Sequence, residues 1–145
     1  MSQFENSDIL KYVLARIIDI SSRKTSYGNA ISTINNSVKN LEEKFDFLKH
    51  VEIKNTQFSE SDDTISILSD IDRIESNMMG RAIYEIIKTM NRTLGKSAGH
   101  FFMKELRSSL DDEYYSTISE MGIDLSLLQL EFEVEELEKK LNENK

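Results

Sequence analysis

Apolar residues recur at alternating spacings of four and three between Tyr27 and Leu48. The seven positions of this pattern, here called the first seam, are Tyr27, Ile31, Ile34, Val38, Leu41, Phe45 and Leu48. Such spacing, sustained over three heptads, is typical of a helix that packs along its length on another helix, as in a coiled coil. Ser26 is a suitable N-cap. The pattern therefore predicts one helix over roughly residues 26–50.

The same spacing returns near the C-terminus. Its five positions, here called the second seam, are Leu127, Leu130, Val134, Leu137 and Leu141. Gly122 followed by Ile123 is typical of a Schellman stop, and Asp124 is a suitable N-cap for the next helix. We therefore predict an acidic C-terminal helix over about 124–142. Two seams exceed what a compact four-helix core requires, so at least one is predicted to contact another chain and to give a homodimer.

Helical periodicity also covers much of the remaining chain. It predicts helices from Ser7 or Asp8 to Ser21, over about 70–94 with Gly95 as a C-cap, from Ser97 to Ser109, and from Asp111 or Asp112 onward. The chain has no proline, and long helices can therefore run without interruption. Residues 1–145 are predicted to form a single, mainly α domain, a bundle of five to six helices with heptad-patterned long helices.

Residues 50–68 have two interpretations. Polar and apolar residues alternate in 50–54 and again in 64–68, so these segments can pair as a small β-hairpin. In the other interpretation a helix begins at Asp62 or Asp63. The helix is slightly favoured, because an isolated two-stranded hairpin is marginal unless it packs on helices.

Acidic charge is concentrated at the C-terminal end of the chain. The net charge is −8; residues 1–110 hold 15 acidic and 15 basic side chains, whereas residues 111–145 hold 11 acidic and 3 basic. Nucleic acid is therefore not expected as a ligand, because phosphate binding needs clustered Lys and Arg. The charge permits a basic protein partner, but a solvated acidic helix is the favoured interpretation.

The charges beside the second seam bear on self-association. In a parallel homodimer Glu133 would face Glu138 of the other copy, and the two carboxylates would repel each other. Antiparallel pairing, docking on the first seam, and binding to a basic partner remain as alternatives. The first seam has both Lys and Glu beside it, so its charges permit self-association.

No residue pattern indicates catalysis, a metal site or a cofactor. The chain has no Cys, and its two histidines, His50 and His100, are far apart, whereas a zinc site needs three or four ligands. Gly95-Lys96-Ser97 lacks the earlier Gly of a P-loop. An enzyme whose catalytic residues are dispersed along the sequence is a third hypothesis. The absence of Cys and of a long apolar run predicts a cytoplasmic protein that does not span a membrane.

Two functions follow as expectations. The first is a non-enzymatic protein–protein interaction, regulatory or adaptor protein that acts through helical, coiled-coil-like surfaces. The alternative is a small sensory or ligand-binding domain with an aromatic-lined pocket in the C-terminal half. The residues predicted to line that pocket are Phe101, Phe102, Met103, Tyr114 and Tyr115.

Overall fold

The computed structural model describes residues 4–55 and 64–143, apart from the side chains of residues 95–101 and 143. Within this part of the chain there are five α-helices, two short 3-10 helices and one two-stranded hairpin. In chain order they are α1 (Asn6–Lys24), α2 (Tyr27–Leu41), a 3-10 helix (Asp46–His50), β1 (Val51–Ile53), β2 (Ile65–Ile67), a second 3-10 helix (Ser69–Arg73), α3 (Ser76–Ser109), α4 (Asp112–Glu120) and α5 (Leu125–Glu143). The predicted mainly α bundle with a small hairpin is confirmed.

Three helices, α1, α2 and α3, pack against one another and enclose most of the core. α1 has an apolar face broad enough to contact both of the others. Its buried residues are Ile9, Leu10, Val13, Leu14, Ile17, Ile18 and Ile20. α3 contributes Met79, Ala82, Ile83, Ile86, Ile87 and Met90 to the same core. Along both helices the buried residues recur three or four positions apart, as the periodicity of the sequence predicts.

The helix predicted over 26–50 is shorter than expected. Ser26 caps α2 as predicted, since its side chain accepts a hydrogen bond from the Asn29 amide at 3.2 Å. The helix ends at Leu41, and Phe45 has left the helical region with φ −128° and ψ 87°. The turn still places Phe45 and Leu48 in the core. No Gly or Pro marks this break, so it follows from packing and carries no local signal.

Val51–Ile53 and Ile65–Ile67 pair as the hairpin, so the slightly favoured helix from Asp62 or Asp63 is wrong over the residues that are described. β1 and β2 are antiparallel, with Val51 opposite Ile67 and Ile53 opposite Ile65. Asp62 and Asp63 themselves lie outside the described residues. The hairpin packs on α1 and α2 and buries Ile53 and Ile65. This burial supplies the support that an isolated hairpin lacks.

α3 is one helix of 34 residues where two helices were predicted. Its backbone continues through Gly95, which therefore does not serve as a C-cap. The chain before it, which was expected to be helical from about residue 70, forms the 3-10 helix Ser69–Arg73. α1 binds this segment, because the Asn6 side chain donates hydrogen bonds to the carbonyl oxygens of Ile71 and Ile74.

The turn between α4 and α5 is the predicted Schellman motif. Gly122 has φ +97°, its amide donates to Ser119 O at 3.1 Å, and the Ile123 amide donates to Ile118 O at 3.2 Å. Asp124 caps α5, since its Oδ1 accepts a hydrogen bond from the Leu127 amide at 3.0 Å. α5 then packs against α3.

Candidate interaction surface

α5 has two apolar faces on opposite sides of the helix. Leu125, Leu128 and Phe132 are buried and face the rest of the protein. Because an α-helix turns by roughly 100° per residue, the second seam lies about half a turn away from these three residues. The helix is therefore attached to the bundle through one face and presents the second seam on the other.

Two polar contacts with α3 support this attachment. The Tyr84 hydroxyl donates a hydrogen bond to the Glu131 carboxylate at 3.2 Å, and the Arg92 guanidinium lies 4.0 Å from Glu135. Burial, followed by the negative charge of Glu131, raises the pKa of Tyr84, so this hydroxyl keeps its proton at neutral pH. Both contacts lie on one side of α5. They agree with the rotation that buries Leu125, Leu128 and Phe132 and turns the second seam away from the bundle.

The second seam is exposed along its whole length. Its exposed fractions are 52% for Leu127, 55% for Leu130, 46% for Val134, 60% for Leu137 and 65% for Leu141. Among the described residues, the other large apolar side chains with comparable exposure are Leu68 and Met78. Single exposed apolar residues are common, whereas a continuous exposed row is unusual for a monomeric protein surface. The row covers roughly 21 Å of helix at 1.5 Å per residue.

Acidic side chains border this row. In the heptad register of the second seam, Glu131 and Glu138 lie along one edge, and Glu133 and Lys140 along the other. α5 as a whole holds six acidic and two basic side chains. The surface thus combines an apolar centre with a mostly anionic border.

The first seam lies inside the protein. Ile31, Ile34, Val38, Phe45 and Leu48 are buried, and Tyr27 and Leu41 are half-buried against the same core. α2 packs there on α1 and α3. The last helix, for which the first seam was one predicted docking site, packs on α3 instead. Of the two seams, the second is the one that the fold leaves open to another molecule.

The predicted aromatic pocket residues take part in packing. Phe102 and Met103 are buried in the core, and the side chain of Phe101 lies outside the described residues. Tyr114 stacks on Tyr12, with ring centroids 3.6 Å apart, and Phe4 stacks on Tyr114 at 4.1 Å. Tyr115 is half-buried against the core.

Among the described residues, Tyr114 therefore packs between two other rings, and Phe102 and Met103 belong to the same core against which Tyr115 lies.

One cleft that the sequence did not indicate lies between α1, the start of α2 and β2. It is lined by Ala15, Arg16, Ile18, Asp19, Ser22, Tyr27, Thr64 and Ile65. Nε of Arg16 is buried without a hydrogen-bond partner among the described residues, and its guanidinium lies 5.7 Å from the Tyr12 ring centroid. The lining offers one cation beside one carboxylate. It contains no nucleophile–base pair of the kind that acyl or phosphoryl transfer uses.

The described part of the chain contains neither a group of metal-ligating residues nor a membrane-spanning helix. No group of three or more His, Cys, Asp or Glu residues there is arranged to hold a metal ion. Asp72, one of the acidic residues before α3, accepts a hydrogen bond from the Ser7 amide at 2.7 Å, and so helps to hold the start of α1. None of the helices in 4–55 and 64–143 combines the length and apolarity needed to cross a bilayer.

Comparison with models of known protein families, with curated protein sequences and with solved structures gives no match.

Proposed function

We propose that this protein is a non-enzymatic interaction or regulatory protein whose working surface is the second seam. One observation carries the proposal: five apolar side chains at heptad spacing are 46–65% exposed on a helix that is already held by its opposite face. Apolar residues in this spacing form the contact strip of coiled coils. Their burial by a partner helix is favourable, at about 25 cal/mol for each Å² removed from water.

The way α5 is held supports binding by docking. Leu125, Leu128 and Phe132 anchor the helix to the bundle, so the second seam is formed before any partner arrives. A preformed surface loses less conformational entropy on binding than a segment that folds as it binds. The predicted homodimer would have to use this same surface, because the first seam is buried.

The proposal is tested by removing the apolar character of the seam without touching the core. The double variant Leu130→Ser/Leu137→Ser changes two exposed residues, and Leu68→Ser, which changes an exposed leucine away from α5, is the matched control. Sedimentation of all three proteins detects self-association. Affinity capture from the source cells, followed by reconstitution from purified components, detects another protein.

We expect a defined assembly that forms with the wild-type and Leu68→Ser proteins and fails to form with the double variant. Circular dichroism must show that all three proteins fold alike. If the wild-type protein stays monomeric at about 100 μM, and every reconstituted partner binds the double variant equally well, the second seam is not an interaction surface.

A further inference from the structure

We infer that the occupant of the second seam is a basic amphipathic helix of another protein and not a second copy of this chain. The inference rests on the proposed function, since it names the chemistry of the partner for that surface. The partner's chemistry follows from the charges that border the seam. Each class of occupant would place different side chains opposite these charges.

Of the carboxylates that border the seam, Glu133 and Glu138 make no polar contact with α3 among the described residues. Glu131 and Glu135 already contact Tyr84 and Arg92 of α3. Glu138 is exposed, and Glu133, which has only a 3.4 Å hydrogen bond from Gln129, is half-exposed. These two glutamates lie on opposite edges of the seam, so a helix lying along it would pass between them.

A second copy of α5 would place two glutamates opposite each other in either direction, with no net attraction. In the parallel pair Glu133 faces Glu138 of the other copy. In the best antiparallel register, with Val134 packed against Leu137, Glu133 faces Lys140, but Glu131 faces Glu138 of the other copy. The one attraction is offset by the repulsion, and each contact occurs twice by symmetry. The remaining charge of each helix is also negative, with six acidic and two basic residues.

A basic helix would be attracted by the three glutamates that border the seam and repelled there by one residue, Lys140. Its apolar residues would repeat at spacings of three and four, and Lys or Arg beside them would face Glu133 and Glu138. The contact strip is short, about two heptads, so we expect a modest affinity. Because the ion pairs lie at an exposed rim, added salt should weaken the complex.

The test uses two synthetic peptides of about three heptads, with Ile and Leu at the seam positions. One peptide has Lys at every flanking position, and the other has Glu there. Binding of each labelled peptide to the full chain is followed by fluorescence anisotropy at about 0.05 M and 0.5 M NaCl. We expect the Lys peptide to bind at least tenfold more tightly than the Glu peptide, and to lose several-fold in affinity at high salt.

Charge reversal on the protein locates the site. Glu133→Lys/Glu138→Lys should reverse the preference between the peptides. The matched control Glu43→Lys/Glu52→Lys changes the net charge equally at exposed positions away from α5 and should keep the wild-type preference. The apolar variant Leu130→Ser/Leu137→Ser should bind neither peptide.

Other outcomes overturn the inference. Equal binding of both peptides, or preference for the Glu peptide, shows that charge does not select the partner, yet it leaves the second seam as an interaction surface. A dimer that Leu130→Ser/Leu137→Ser abolishes makes the occupant a second copy, and the proposed function still holds. If neither peptide binds and sedimentation shows no assembly through the seam, the inference and the proposed function both fail.

Discussion

The backbone carbonyl of Met121, at the end of α4, lies where Gly80 of α3 would carry a Cβ atom. Both residues are buried. Gly80 therefore allows the backbone of α4 to approach α3 more closely than any other residue would permit. Gly122 and Asp124 follow Met121 in the chain and determine the direction in which α5 begins. The close contact between Met121 and Gly80 therefore helps to position the helix that carries the second seam.

Gly80→Ala should destabilise the protein, although alanine is intrinsically favoured over glycine in a helix by roughly 1 kcal/mol. The added methyl group would meet backbone atoms, which cannot move aside as a flexible side chain can. We expect the free energy of unfolding to fall by about 1–3 kcal/mol in urea denaturation.

Gly28→Ala is the matched control for Gly80→Ala. A Cβ at this position of α2 would lie 3.7 Å from Asn55 Nδ2, an ordinary contact. With no clash, helix propensity alone should leave stability unchanged or raise it by up to about 1 kcal/mol. If Gly80→Ala and Gly28→Ala had the same free energy of unfolding, the Met121 backbone would not lie as close to Gly80 as the structure places it.

Gly122 is required for a different reason. A Cβ there would meet no atom within 4 Å, but the backbone has φ +97°, a conformation that other residues rarely adopt. Gly122→Ala should therefore lower the free energy of unfolding by about 1–2 kcal/mol through backbone strain alone. Gly122→Asn should cost less, because Asn tolerates positive φ better. Equal losses for Ala and Asn would point to a cause other than backbone conformation.

The parts of the fold that the sequence predicted are those with local causes. The Ser26 and Asp124 caps and the Gly122 stop depend on hydrogen bonds between residues that are close in the chain. The end of α2 at Leu41 and the hairpin at β1 depend on packing with distant segments. No Gly or Pro signals the end of α2, and the alternation in 50–54 and 64–68, which permitted the hairpin, did not decide between it and a helix.

The candidate surface could be predicted only in part. The spacing of the second seam predicted a helix–helix contact strip, which stays a prediction. However, Leu125, Leu128 and Phe132 give α5 a second apolar face, and either face could have been the one that packs on the bundle. Contacts with α3 determine which face packs on the bundle. One of these contacts joins Tyr84 and Glu131, which are 47 positions apart in the chain. The aromatic residues named for a pocket stay a prediction, because side chains of the same kind fill cores as well as ligand sites.

The buried hydroxyl of Ser21 allows a test of what an unpaired polar group costs in the core. It is 1% exposed, and its hydroxyl has no hydrogen-bond partner among the described residues. A buried polar group without a partner costs about 1–3 kcal/mol, so Ser21→Ala should leave the free energy of unfolding unchanged or raise it by up to about 2 kcal/mol.

Ser37→Ala is the comparison for Ser21→Ala. The Ser37 hydroxyl is also buried, but it donates to Thr33 O at 3.0 Å. Its removal should give no such gain, because a hydrogen bond is lost. A clear loss of stability in Ser21→Ala, read from thermal or urea unfolding, would mean that its hydroxyl is hydrogen-bonded after all.

The two faces of α5 should respond very differently to the same kind of truncation. Phe132 is 7% exposed, so Phe132→Ala would leave a cavity against α3 and should cost about 3–5 kcal/mol. Leu137 is 60% exposed, so Leu137→Ala should change the free energy of unfolding of the monomer by less than about 0.5 kcal/mol. Urea unfolding of dilute protein separates these effects from assembly. If Leu137→Ala were as costly as Phe132→Ala under those conditions, the second seam would be buried within the chain, and α5 would be rotated about its axis from the position described.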